Sequence, residues 1–279
     1  MIKNNYYLNL AFQLAEKNLG KTGLNPSVGT VIVKNNIIIS TGVTSFTGRP
    51  HSEFNALKKL RNCSGSTLYT TMEPCVHHGL TPPCTNIIIK KKIKNVYYGS
   101  ADPDERSFNK AKKLLERKGI KTNLIKQKKY KNFYKSYFIN KSLNIPFITT
   151  KIALSNDYFS INKKSKWITN NRSRKIVHLL RSKHDCILST SKSINIDNSS
   201  LNCRIEGIDN NKPDLFIIDL NLKLKKGLFL EKLNKKRNTF LITKTKYYKK
   251  SAAYRKRGFK MIFIKSLKNK KDFNSLFKD

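Results

Sequence analysis

The chain has 279 residues, with 57 Lys+Arg against 17 Asp+Glu and a formal net charge of +40. With 38% hydrophobic and 10% aromatic residues, it is too apolar for a disordered basic tail and long enough for two domains with buried cores. No run approaches the roughly 18 apolar residues of a membrane span. The N-terminus has no signal-peptide pattern, and five unevenly spaced cysteines form no disulfide framework, so a soluble cytoplasmic protein without a membrane partner is expected.

In chain order, Leu10, Ala11, Leu14 and Ala15 ahead of Gly20 predict a helix over residues 8–19. Apolar runs at 28–33 and 37–40 flank Lys34-Asn35-Asn36 and read as a hairpin. A helix over 52–61, a strand over 67–71, a short helix after Cys84 and a strand over 95–99 follow. A lysine-rich helix over 108–118 stops at Gly119, before a strand over 122–125. This alternation predicts a layered α/β domain over residues 1–125. Residues 126–145 are basic and tyrosine-rich and read as a connector. A second α/β pattern covers 146–279, with strands at 147–154, 186–189, 215–219, 239–243 and 260–264 and a helix over 172–181. Nine of the 12 glycines fall in the first 119 residues, so the second half carries no glycine-rich phosphate cradle.

The charge raises a nucleic-acid hypothesis. However, 46 of the basic residues are Lys and only 11 are Arg, whereas specific phosphate and base recognition favours the Arg fork. The excess is also spread evenly, +18 over residues 1–145 and +22 over 146–279. Lys, Asn, Ile, Tyr and Phe share A/T-rich codons, so drift in base composition explains the bias and no nucleic-acid partner is expected.

His51-Ser52-Glu53, Glu73-Pro74-Cys75 and Pro82-Pro83-Cys84 carry the chemistry. One His and two Cys supply three zinc ligands and leave a fourth tetrahedral position open, the catalytic arrangement. Cys75 and Cys84 fall where helices are expected to begin, which favours thiolates. Glu53 reaches the open position without ligating. His-x-Glu with a later Pro-Cys and Cys is the pattern of zinc deaminases, in which the Glu shuttles protons. Cys63, Cys186 and Cys203 have no patterned partners and read as packing residues. Nucleic-acid deaminases separate their cysteines by two residues; here eight residues, 76–83, intervene.

The segments Asn25-Pro26-Ser27-Val28-Gly29, Gly48-Arg49-Pro50-His51-Ser52-Glu53, Thr71-Met72-Glu73-Pro74-Cys75-Val76-His77-His78-Gly79 and Thr81-Pro82-Pro83-Cys84 resemble the deaminase domain of the bifunctional riboflavin-biosynthesis deaminase–reductases, the RibD family. The resemblance implies a cytidine-deaminase-like three-layer α/β/α domain. It implies zinc on His51, Cys75 and Cys84, Glu53 as catalytic proton shuttle, and Asn25 and His78 beside the pyrimidine of the substrate. That substrate is the small molecule 2,5-diamino-6-(phosphoribosylamino)pyrimidin-4(3H)-one. His77 reads as a loop residue. Three positions depart from the family pattern: Thr44 stands for a His, Leu80 for an Arg or Lys, and Ser52 for the Ala of His-Ala-Glu. Arg49 is a candidate replacement anion contact.

Lys151 to Asp157, the Ser165–Thr169 stretch, Arg174, His178 and Asp185 to Leu188 are similar to the family's reductase domain, which implies a dihydrofolate-reductase-like α/β fold and NADPH. By position, Ala153, Trp167, Ser193 and Asp197 would touch the cofactor. Ser165, Arg181, Leu201 and Arg204 would contact the ribose phosphate of 5-amino-6-(phosphoribosylamino)uracil. Thr190, Lys192 and Tyr158 replace family glycines, and a Glu-Gly-Gly turn is not found before Asp279, so the reductase-like domain is expected to be incomplete and its NADPH binding weak. Competing readings are a nucleoside or nucleic-acid deaminase and a catalytically silent basic protein that binds RNA or a partner. The sequence is compatible with a homo-oligomer.

Overall fold

The computed structural model describes residues 2–160, 167–208 and 213–278. The chain divides into two compact units, residues 1–147 and 148–279. In the first, strands β1 (Gly29–Lys34), β2 (Ile37–Val43), β3 (Thr67–Thr70), β4 (Asn95–Tyr98) and β5 (Lys121–Leu124) form one sheet in the order β2-β1-β3-β4-β5. β1 pairs antiparallel with β2 and β3, while β3, β4 and β5 run parallel. The β1–β2 turn places Asn35 and Asn36 at φ 48° and 66°, the left-handed pair that a two-residue hairpin requires and that Asn tolerates.

Strand alternation sends neighbouring residues to opposite faces. Val31, Val33, Tyr69 and Tyr97 pack with Tyr7, Leu8 and Phe12 of α1 (Ile2–Glu16). Ile32, Leu68 and Val96 pack on the other face with Ala56 and Leu57 of α2 (Ser52–Leu57), Ile88 of α3 (Cys84–Lys90) and Leu115 of α4 (Lys110–Glu116). The result is the expected α/β/α sandwich. Helices press so closely that a Cβ on Gly29 would lie 2.0 Å from the Ala11 carbonyl oxygen of α1, and one on Gly42 would lie 2.2 Å from the Ser52 carbonyl oxygen of α2.

Residues read as a connector instead form α5 (Lys128–Phe133) and α6 (Lys135–Leu143) on the α1 face. Tyr130 and Tyr134 are buried there, and Tyr130 stacks on Phe12 with centroids 4.3 Å apart. Aromatics at 130, 133, 134, 137 and 138 follow helical spacing; the surrounding lysines mask that stripe in the sequence.

In the second unit, β6 (Cys186–Thr190), β7 (Asp214–Ile218), β8 (Thr239–Lys244) and β9 (Lys260–Ile264) form a parallel sheet in chain order. Ile187, Leu215, Ile217, Leu241 and Met261 line one face against Ile194 of α8 (Ser191–Asp197) and Tyr254 of α9 (Ala252–Lys256). α7 (Asn171–Ser182) precedes β6 and is capped by the Asn170 side chain, which accepts from Ser173 N–H; α10 (Lys270–Leu276) follows β9. The strand expected over 147–154 is absent: these residues pair with no strand among the described residues, and Ile148 and Ile152 are exposed. Apolar, β-prone side chains do not make a strand without a ladder partner.

Tyr130→Ala should destabilise the first unit by about 3–5 kcal/mol, the usual cost of deleting a buried aromatic. Equilibrium urea unfolding followed by tyrosine fluorescence checks it. A cost near zero would mean that residues 126–145 are indeed a loose connector.

Candidate metal centre

Three separate segments meet at the C-terminal end of β3. His51 caps the N-terminus of α2 with extended backbone, φ −69° and ψ 160°. Cys75 follows β3 by a short loop, and Cys84 is the first residue of α3, directly after Pro83. His51 Nδ1 lies 3.6 Å from Cys75 Sγ and 3.4 Å from Cys84 Sγ, and the three donor atoms all fall within 4.8 Å of one another. The Cys84 backbone N–H donates to Cys75 Sγ at 3.2 Å. Among the described residues this is the group of His, Cys and carboxylate side chains that suits a metal ion.

The electrostatics match that use. Cys75 accepts from the Cys84 thiol and from His51, and its pKa falls to about 4. The thiol of Cys84 moves the opposite way, because a thiolate already sits beside it and the site is buried. A divalent cation removes that repulsion and accommodates both thiolates. Glu53, in the first turn of α2, is 4% exposed, and burial raises its pKa. Its Oε2 accepts from Ser52 Oγ at 3.0 Å.

The surrounding loops are held by groups to which the sequence assigned no role in the centre. Glu73 is buried; Oε2 accepts from the N–H groups of Asp102 (3.2 Å) and Asn109 (3.0 Å), and Oε1 from Ala111 (3.0 Å). It thereby ties the segment carrying Cys75 to the start of α4. Ser107 Oγ lies 2.9 Å from His77 Nδ1, so His77 anchors the loop between the cysteines. Tyr134 Oη donates to the Ser27 carbonyl at 3.0 Å and lies 2.5 Å from Thr71 Oγ1, which accepts from Gly29 N–H at 3.1 Å.

Asn25 is half-buried and donates through Nδ2 to the Gly48 carbonyl at 3.1 Å, bracing the loop that leads into His51. Gly48 sits at φ +92°, and a Cβ there would lie 2.5 Å from Asn25 Nδ2, so only glycine fits. His78 is exposed, with Nδ1 3.2 Å from the Gly79 carbonyl oxygen, and is not drawn into the trio. Arg49 Nη1 donates to Thr81 Oγ1 at 2.8 Å and lies 3.4 Å from His51 Nε2, while Leu80 is exposed. Thr44 is buried and its Oγ1 accepts from Val28 N–H at 3.0 Å, so it serves the sheet.

Residues 1–100 match the family model for the cytidine and deoxycytidylate deaminase zinc-binding region, and residues 146–276 match the RibD C-terminal domain. The riboflavin biosynthesis protein RibD of Aquifex aeolicus is 32% identical over 269 residues, 94% of this chain and 75% of that one. The chain belongs to the RibD family. The Buchnera aphidicola RibD is 37% identical over 218 residues, 77% of this chain but 59% of its own length. A diaminohydroxyphosphoribosylaminopyrimidine deaminase/5-amino-6-(5-phosphoribosylamino)uracil reductase from Thermotoga maritima has a TM-score of 0.85 at 27% identity, covering 99% of this chain and 77% of that chain. Acinetobacter baumannii RibD gives 0.84 at 26%, over 99% and 76%. The match over 146–276 corrects the expectation of a truncated second domain: the family's C-terminal domain, dihydrofolate-reductase-like in fold, is represented there.

Within the second unit, Arg181 Nη1 donates to the Asn202 carbonyl at 3.1 Å and Arg204 Nη1 to Asn202 Oδ1 at 3.0 Å, with Leu201 between them in the chain at φ +48°. The structure thus brings Arg181, Leu201 and Arg204 together. Burial and the neighbouring Arg204 charge lower the Arg181 pKa, a repulsion that an anion would relieve. Buried Arg237 holds this loop, donating to the Ser200 (2.5 Å) and Leu201 (2.6 Å) carbonyls. Ser193 and Asp197 lie one turn apart on α8, both exposed. Trp167 is half-exposed, with the Arg174 guanidinium 4.6 Å from its ring centroid. Ala153 lies in the unpaired 147–154 stretch, and Ser165 lies outside the described residues.

Cys84→Ser should abolish tight zinc retention, read as metal per chain after dialysis. Retention equal to wild type would remove Cys84 from the centre. A second outcome concerns Asp102, whose pKa burial raises to about 6 from 3.8. A carboxyl with a folded pKa above its unfolded value contributes stability that is full below about 3.8 and is lost as pH rises through about 6. The advantage of Asp102→Asn over wild type should therefore grow between about pH 4 and pH 7, reaching on the order of 2 kcal/mol. A pH-independent difference in urea midpoints would contradict the burial of that charge.

Proposed function

We propose that the chain is a bifunctional cytoplasmic enzyme of riboflavin biosynthesis. The first unit deaminates 2,5-diamino-6-(phosphoribosylamino)pyrimidin-4(3H)-one with release of ammonia. The second reduces 5-amino-6-(5-phosphoribosylamino)uracil with NADPH. The observation that carries the first assignment is the convergence of His51, Cys75 and Cys84 beside a buried carboxylate outside the trio, Glu53.

Zinc fits this donor set: two sulfurs and an imidazole nitrogen are its preferred ligands, and three of them leave one position open. The chemistry it supplies when bound is activation of water near neutral pH. Glu53 would take a proton from the attacking water and pass it to the departing amino group. Its burial, which raises its pKa, suits a carboxyl that must both accept and give a proton. Asn25 and His78 are assigned to the pyrimidine. Arg49, which donates to Thr81 on the loop between the cysteines, is assigned to the substrate phosphate in place of the cation that Leu80 does not provide.

In the second unit Arg181 and Arg204, with Leu201 and Ser165, are assigned to the ribose phosphate. A guanidinium pair suits a phosphate, which it can bind in bidentate fashion. Trp167, Ser193, Asp197 and Ala153 are assigned to NADPH, which supplies hydride when bound. The exposed face of α8 and the half-exposed indole leave these groups accessible to a cofactor.

Glu53→Gln should keep zinc and lose deamination by about 10²–10⁴-fold, the range of general acid–base contributions. Ammonia release from the diaminopyrimidine phosphate, measured with metal content, tests this. Near-normal turnover in the variant would remove Glu53 from proton transfer; no ammonia from zinc-loaded wild type would overturn the deaminase assignment.

A further inference from the structure

We propose that Ser52 is a positioning residue for Glu53, acting as the last hydroxyl of a buried chain that runs from Thr70 through Thr30 to the Glu53 carboxylate. The proposal rests on the deaminase reading above. Thr30 of β1 and Thr70 of β3 are cross-strand partners, with Thr30 Oγ1 3.2 Å from Thr70 Oγ1. Thr30 Oγ1 lies 2.8 Å from Ser52 Oγ, and Ser52 Oγ donates to Glu53 Oε2 at 3.0 Å. Thr30, Thr70 and Ser52 are all 0% exposed.

Three hydroxyls in line behind a buried carboxylate are not a packing arrangement. A buried hydroxyl without a partner costs about 1–3 kcal/mol, so each of these is present because its neighbour satisfies it. The RibD pattern His-Ala-Glu has a methyl group where this chain places the Ser52 hydroxyl, and a methyl group cannot donate to Glu53. The Ser52 contact therefore adds a fixed point to Oε2 that the family pattern lacks. Its anchor is the sheet itself, since Thr30 and Thr70 belong to paired strands. Each hydroxyl has one proton to give, so with the Ser52 hydroxyl donating to Glu53 it is Thr30 that donates to Ser52. Proton transfer needs donor and acceptor within about 2.6–3.2 Å, and a misplacement of about 1 Å can cost on the order of 100-fold, so fixing this carboxylate bears on turnover and not on substrate affinity.

The test compares wild type, Ser52→Ala, Thr30→Val and Thr30→Ser as full-length proteins. Thr30→Val keeps the shape and removes the hydroxyl; Thr30→Ser keeps the hydroxyl and removes the methyl. Three quantities are read: kcat and KM for ammonia release, zinc per chain, and the carboxyl carbon-13 resonance of Glu53 in the metal-free protein. Ser52→Ala should lower kcat about tenfold, the effect of one hydrogen bond to a charged group, with KM and zinc content unchanged. Thr30→Val should lower kcat in the same direction, and Thr30→Ser should restore it. The Glu53 resonance should move in Ser52→Ala and Thr30→Val but not in Thr30→Ser. Wild-type kcat and an unmoved resonance in Ser52→Ala would overturn the proposal, as would a larger loss in Thr30→Ser than in Thr30→Val. If wild type released no ammonia, the deaminase reading would fail on its own, and the resonance would still decide whether the hydroxyl chain holds Glu53.

Discussion

The first unit is organised around one constraint: three soft or borderline donors from distant parts of the chain must lie within a few ångströms of one another without a disulfide to hold them. Two of the three are helix-terminal. His51 precedes α2 and Cys84 opens α3, so the geometry of the centre is set by where those two helices begin on the sheet. Their positions are fixed by the face that buries Ile32, Leu68 and Val96 against Leu57 and Ile88. Gly42 lets α2 approach to a distance that no side chain would allow. Cys75, on a loop, has no helix to place it and is restrained through its neighbour Glu73, whose carboxylate collects three backbone donors from residues 102–111.

The opposite face of the sheet reaches the same site by another route. Tyr134 connects α6's leading edge to Ser27 and Thr71, residues that flank the Asn25 loop and the Cys75 loop. The aromatic layer of Tyr7, Phe12, Tyr69, Tyr130 and Tyr134 thus does more than close a core. It ties the Asn25 and Cys75 loops to the packed α1 face of the sheet. Burial on one side of the sheet and metal geometry on the other are parts of one arrangement, joined through β1 and β3. The second unit has its own core, and Arg181 and Arg204 converge there on the backbone and side chain of Asn202.

Much of this was legible in the residues. The apolar runs located the nine strands of the described residues, and His51, Cys75 and Cys84 marked the trio that the structure brings together. What was missed had physical reasons. The helical stripe at 130–138 is built from Tyr and Phe among lysines, which reads as polar connector when the spacing is not counted. The run at 147–154 has strand-like residues but no ladder partner, which sequence pattern cannot reveal. Glu73, Thr30 and Ser107 act through long-range hydrogen bonds between segments 22 to 40 residues apart, and nothing local shows what they bond to. The missing glycines were read as a missing part of the second domain, although the family's C-terminal domain is matched without them.

The account stands or falls on the ligand set at the first site. X-ray absorption at the zinc edge of the purified full-length chain, with metal content measured on the same sample, tests it most directly. One zinc per chain with two sulfur neighbours and the remaining ligands nitrogen or oxygen is the predicted result. A zinc with no sulfur neighbours, or with four, would contradict a centre built from His51, Cys75 and Cys84 with one position left for chemistry.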